Sequence, residues 1–221
     1  RVITLGTFFK QAGFKVILFG ASKKQKFNSV FEIEPLPLWD KPEATRPNEY
    51  WGIDMTKFLL GSLGWCYLMV VQDWYTKEIV GWKLSLRAKT SEWKEALDRA
   101  LCRKFPFGVR GQGLSLISDN GTQPTSVAFM TETAGLGINQ IFFLMNNTET
   151  EPVIRAIKEE LLWLNEFGSF QEAEARIGAW IEEDYNRLYV HSALGYLSPE
   201  EFAQQWAQTQ EATSEARYEP G

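Results

Sequence analysis

Asp54, Asp119 and Glu151 are the residues of this 221-residue chain best placed to do chemistry. Asp54 is the one charge in the apolar stretch Trp51–Met55. Asp119 closes the run Leu114-Ser-Leu-Ile-Ser, and Asn120-Gly121 turn the chain directly behind it. Glu151 opens an amphipathic stretch that runs to Leu164, with Pro152 suited to the first turn of a helix. Burying an unpaired carboxylate is expensive, so such groups are paired, hydrogen-bonded or bound to metal. One strand aspartate alone is more often an edge or turn feature. Two of them with an acid at a helix start suit two divalent cations roughly 4 Å apart, set between carboxylates that would otherwise repel.

Such a site needs strands that bring the two aspartates together. Hydrophobic patterning predicts strands over 50–58, 65–74 and 78–86, with the polar turn Tyr75-Thr76-Lys77 between the last two. Short connections make these an antiparallel meander. Ser91 is the expected N-cap of a helix in which Trp93, Ala96, Leu97, Ala100 and Leu101 repeat at helical spacing. A fourth strand ends at Asp119. Thr125 or Ser126 is expected to cap a helix through Phe129 and Met130, ended by Gly135 and Gly137, before a short strand over 139–144. Helices over 151–164 and 169–185 follow, and Ser198 with Glu201 forms a capping-box pattern for a last one. The fold class expected is therefore α/β, a mixed five-stranded sheet flanked by helices. The crossover helix lets strand four lie parallel beside strand one, which puts Asp54 next to Asp119.

Composition narrows the class without choosing a function. The chain is 44% apolar and 14% aromatic, enough for a sizeable core, and its net charge is −5. Residues 1–50 hold eight Lys/Arg against five Asp/Glu, and the remainder fifteen against twenty-three. Acidic cation sites lower the formal charge without repelling DNA once loaded, so the balance does not exclude a nucleic-acid partner. The richest apolar stretch, 58–71, is broken by Gly61, Ser62 and Gly64, which argues against a membrane span. Cys66 and Cys102 lack metal-ligand spacing and are expected to be reduced core residues. No signal peptide is evident, and Arg1 in place of Met suggests a fragment. Trp74, Trp82, Trp93 and Trp180 are expected in the core. Segment 1–33 is basic and 34–48 is a proline-rich linker with Pro35, Pro37, Pro42 and Pro47. A core domain over 49–188 and a C-terminal helical extension and tail over 189–221 complete the expected organisation.

Several separated motifs fall in one order. They are Ala44-Thr-Arg-Pro-Asn48, Trp51-x-x-Asp54-x-Thr56, Ser118-Asp119-Asn-Gly-Thr-Gln123, Glu151 with Arg155 and Lys158, and Tyr185-Asn186 followed by His191-Ser-Ala-Leu-Gly-Tyr. Together they resemble the catalytic core of retroviral-integrase-like (DDE) transposases, above all those of bacterial insertion sequences. The resemblance implies a ribonuclease-H-like fold, with segment 1–33 left over from a helical DNA-binding region. It implies Asp54, Asp119 and Glu151 as the ligands of two Mg²⁺ or Mn²⁺ ions, and phosphoryl transfer without a covalent protein intermediate. Glu151 is chosen over Glu149 because its spacing to Arg155 and Lys158 puts all three on one helix face. Arg155, Lys158, Asn120, Gln123 and His191 are the candidate DNA contacts. Asn120 and Gln123 also shape the turn, and His191 has an alternative role holding the Gly195-Tyr196 turn. The implied activity is metal-dependent cleavage of element ends and strand transfer into target DNA by a homo-oligomer on paired ends. Its implied setting is the bacterial cytoplasm, near the nucleoid. The alternatives are a nuclease of the same fold without strand transfer, or a decayed DNA-binding remnant. Thirty-one residues separate Asp119 from Glu151, fewer than is usual in that family.

Overall fold

The structure is a computed structural model that describes residues 18–19, 42–143 and 149–216. Apart from Leu18–Phe19, the expected basic segment lies outside the described residues, as does most of the proline-rich linker.

The strands are β1 (Leu18–Phe19), β2 (Tyr50–Leu60), β3 (Gly64–Asp73), β4 (Ile79–Ser85), β5 (Ser115–Ser118) and β6 (Asn139–Phe143). Their spatial order is β1-β6-β5-β2-β3-β4. The five expected strands are all present, and the two-residue β1 extends the sheet at the β6 edge. β2, β3 and β4 pair antiparallel, while β5 lies parallel to both β2 and β6. Helix α1 (Thr90–Lys104) makes the crossover between β4 and β5. Only a connection of that length permits parallel pairing.

Helix α2 (Val127–Gly135) begins where Ser126 Oγ accepts the Phe129 N–H, as expected. Helix α1 starts two residues earlier than predicted. Lys89 precedes it, its N–H donating to the Glu92 carboxylate, and Ser91 lies inside the first turn. Helix α3 begins as an α-helix over Glu151–Ala156 and continues as a π-helix over Ile157–Leu162. Helix α4 does the same, α over Phe170–Ala179, π over Trp180–Tyr185, then an α turn at Asn186–Leu188. Periodicity gave no sign of either change of winding. Helix α5 (Pro199–Ala216) starts on the expected Ser198–Glu201 capping box. Among the described residues no helix is long and apolar enough to cross a membrane.

Two cores sandwich the sheet. On one face Val70, Leu68, Leu84 and Ile79 pack against Val153, Ile154, Ile157, Ile177 and Ile181 of α3 and α4. On the other, Trp51, Ile53, Met69 and Val71 pack against Trp93, Ala96, Leu97 and Phe129 of α1 and α2. Each face is apolar because successive strand residues point to opposite sides. Gly81 is where α1 approaches closest: a Cβ there would meet the Ala96 carbonyl at 2.6 Å. Cys66 is buried as expected, whereas Cys102 is exposed because it falls on the solvent side of α1. Trp74, Trp93 and Trp180 are core, and Trp82 is half-buried against α4.

Candidate active site

The register of β2 and β5 positions the two aspartates. Tyr50 pairs with Ser115, Trp51 with Leu116 and Gly52 with Ile117. Continued by two residues, that register sets Asp119 beside Asp54. Asp119 sits just past β5 and not on its last residue, because the chain is already turning. Its Oδ1 accepts the Gly121 N–H at 2.9 Å, the local turn for which short acidic side chains are suited. On the far side of β2, Asp54 faces Val70, whose side chain belongs to the core covered by α3. Glu151, the first residue of α3, starts on that same face.

Electrostatics join the three. Burial raises the Asp54 carboxyl from 3.8 to about 6, the Met55 N–H opposes this, and the negative charges of Asp119 and Glu151 add to the rise. Lys158 pulls the other way. Asp54 and Glu151 are half-buried and Asp119 is exposed, so the acids open to solvent on the Asp119 side. Among the described residues, no three His, Cys, Asp or Glu side chains converge to metal-ligating distance. The three carboxylates sense one another without closing into a cage.

A hard divalent cation fits the chemistry of this set. All donors are carboxylate oxygens, and the like charges on a half-buried Asp54 are what such an ion relieves. Two buried hydroxyls flank the acids without a hydrogen-bond partner: Thr56, two residues along β2 and so on the Asp54 face, and Thr150, just before Glu151. Buried hydroxyls ordinarily find partners.

The other candidates divide. Arg155 is exposed on α3, one turn from Glu151, and Lys158 is half-buried near Asp54. Asn120 is exposed at the turn. Gln123 instead donates its amide to the Ala88 carbonyl at 2.9 Å, tying the Asp119 turn to the β4–α1 connection. His191 lies with the rings of Tyr185 and Tyr189, 5.4 and 5.1 Å between centroids, and burial followed by the Lys77 charge lowers its pKa. Its neighbours are those groups and not the carboxylates. The Gly195-Tyr196 turn is held by backbone: His191 C=O accepts from Leu194 and Tyr196 N–H, and its N–H donates to Leu197. Glu149, the rival third acid, is engaged by Lys77 Nζ at 2.5 Å. The charge of Glu151 is the one felt at Asp54.

Gly121 is a sensitive point. A Cβ there would stand 2.9 Å from Asp119 Oδ1 and 3.3 Å from Oδ2. Gly121→Ala is expected to push the carboxylate aside and weaken Mn²⁺ binding about tenfold, the scale of disturbing a ligand's support. Calorimetric titration checks this, with an unchanged thermal transition showing that the fold survives.

Residues 44–143 match the integrase core domain family. The transposase for insertion sequence element IS904 of Lactococcus lactis subsp. lactis (strain IL1403) is 30% identical over 164 residues, 72% of this chain and 63% of the relative. The transposase InsF for insertion sequence IS3A of Escherichia coli (strain K12) is 30% identical over 163 residues, 72% of this chain and 55% of the relative. The chain thus spans little more than half the length of these relatives. Among solved structures, the HTLV-2 integrase catalytic core domain in complex with magnesium (trimeric form) superposes with a TM-score of 0.56 at 17% identity, over 73% of this chain and 99% of that one. That likeness is one of fold, the ribonuclease-H-like mixed sheet of integrase and transposase cores.

Proposed function

We propose, on the premise of the integrase core match over residues 44–143 and the likeness to insertion-sequence transposases, that the chain is the catalytic core of a DNA transposase. It cuts element ends and joins them to target DNA, acting as a homo-oligomer on paired ends in the bacterial cytoplasm. The observation that supports this most is the register bringing Asp119 beside Asp54, with the Glu151 charge reaching Asp54 from α3.

Asp54, Asp119 and Glu151 hold two Mg²⁺ or Mn²⁺ ions in this reading. The chemistry those ions supply when bound is activation of the attacking oxygen and neutralisation of the leaving one in an in-line displacement. Everything else falls to the chain. Asp54, anchored through its Oδ1 to the Met55 N–H at 2.7 Å, provides the fixed wall of the site. Asp119, exposed and turned outward by the Gly121 N–H, is the acid that an approaching phosphodiester meets first. Arg155 and Lys158 lie along α3 from Glu151 and steady the phosphate backbone, which positions DNA without reading its sequence. No histidine or lysine base is required, consistent with the one histidine packing against tyrosines instead.

A labelled duplex copied from the ends of the element that encodes the chain tests this. With Mn²⁺ and a plasmid target, the expected product is the label covalently joined to plasmid. Hydrolysis alone would identify a nuclease. DNA binding without either product would identify a non-catalytic remnant.

A further inference from the structure

We propose that Lys77 is a positioning residue for the transposase chemistry: through its ion pair with Glu149 it holds the start of α3, and with it Glu151, against the sheet. This rests on the transposase reading for its catalytic consequence and on geometry for its structural one.

Lys77 lies in the turn between β3 and β4 with φ +63°, a left-handed conformation that a lysine adopts only under constraint. Its constraints are visible. The Lys77 carbonyl accepts from the amide of Gln72 at 3.1 Å and from the hydroxyl of Tyr185 at 3.2 Å. Both donors are buried, and Gln72 also donates to the Tyr185 hydroxyl. With the backbone so fixed, Nζ donates to the Trp74 carbonyl at 2.7 Å and to Glu149 Oε2 at 2.5 Å. The ion pair joins positions 72 residues apart, and its side chains are only 18% and 23% exposed. A pair that enclosed is screened less than a surface one and is ordered on both sides.

Glu149 stands two residues before Glu151, and only residues 144–150 connect β6 to α3. Val153, Ile154 and Ile157 seat the helix on the sheet, and the ion pair adds a tie just before its first turn. The pair therefore fixes the point from which Glu151 projects toward Asp54. The strained turn, the buried Tyr185 of α4 and the acid-bearing helix form one chain of contacts. A shift of about 1 Å in a reacting group can cost a hundredfold in rate, so modest slack at Glu149 suffices to matter.

Three substitutions test it in the full chain. Lys77→Gly removes the amine while relieving the left-handed strain, so the turn survives. Glu149→Gln removes the other partner. Lys77→Glu with Glu149→Lys restores the pair reversed. Each single change is expected to lower strand-transfer kcat ten- to a hundredfold with the KM for DNA within about twofold. The two single-site effects should not add, and the reversed pair should recover most of the loss. Hydrogen exchange at the amides of 151–156 supplies an arm that needs no activity: exchange should quicken in Lys77→Gly and return toward wild type in the reversed pair. Unchanged exchange in Lys77→Gly and Glu149→Gln overturns the proposal whatever the enzyme does. Quickened exchange in Lys77→Gly and Glu149→Gln, when the wild-type chain itself never transfers strands, upholds the clamp and overturns the transposase reading alone.

Discussion

Asp54→Asn is expected to abolish strand transfer and at the same time to make the metal-free protein more stable. The first effect is expected to be ~10³-fold or more, the scale of losing a group on which charge stabilisation depends. The second follows from the raised carboxyl of Asp54, about 6 against an ordinary 3.8. A group whose pKa is raised on folding favours the folded state only where it is protonated, and that contribution is lost as pH rises through the folded value. Above pH 6 the wild-type chain carries a half-buried, like-charged carboxylate; Asn carries none and keeps the Oδ1 that accepts the Met55 N–H. The gain should be near zero at pH 4, grow between 4 and 6, and reach on the order of 2 kcal/mol at pH 7 to 8. Urea unfolding with a chelator present reads it. Saturating Mn²⁺ should reverse the order, because only the wild type gains binding free energy. Equal stability of the two proteins at pH 8 without metal would remove the electrostatic account of the site.

Asp73→Asn is expected to be the costliest single isosteric change outside the site. Asp73 is 1% exposed, and its carboxylate accepts four N–H groups. Oδ1 takes those of Tyr75 and Thr76 at 2.8 and 2.9 Å, and Oδ2 takes those of Asn48 at 2.5 Å and Trp51 Nε1 at 3.2 Å. An amide nitrogen in place of either oxygen would face two donors with a third, leaving buried N–H groups unmatched at about 1–3 kcal/mol each. The sum, ~3 kcal/mol or more, is a large part of the 5–15 kcal/mol that holds a typical domain together. A lower urea midpoint at unchanged slope would show it, and a midpoint within error of wild type would refute it. Because Asp73 ties Asn48 to the β3–β4 turn, the same substitution should also loosen Lys77.

The candidate site was more legible in the sequence than the supports around it. Asp54, Asp119 and Glu151 announce themselves locally: a charge in an apolar run, a charge before Asn-Gly, a charge before Pro at a helix start. The Ser126 and Ser198 caps and the β4–α1–β5 crossover are likewise written in neighbouring residues. Asp73 and Lys77 carry no such mark. Their meaning lies in partners distant in sequence, Asn48 and Trp51 for one, Glu149 and Tyr185 for the other. Gln123 shows the same limit: its place in a family motif gave no hint that its amide would be spent on Ala88. Cys102 was misjudged because helical spacing alone does not say where the apolar stripe of α1 stops. The winding of α3 and α4 was unreadable for another reason, since the same side chains suit α and π turns alike.

That winding has a consequence for how the gene can vary. In a π stretch each hydrogen bond spans five residues where an α-helix spans four, so Ile157–Leu162 and Trp180–Tyr185 each hold more chain than a regular helix of their length would. Such a stretch is a reserve of length. Loss of one codon within 157–162 can be absorbed by tightening the coil to α, downstream of Glu151 and Arg155 and without moving either.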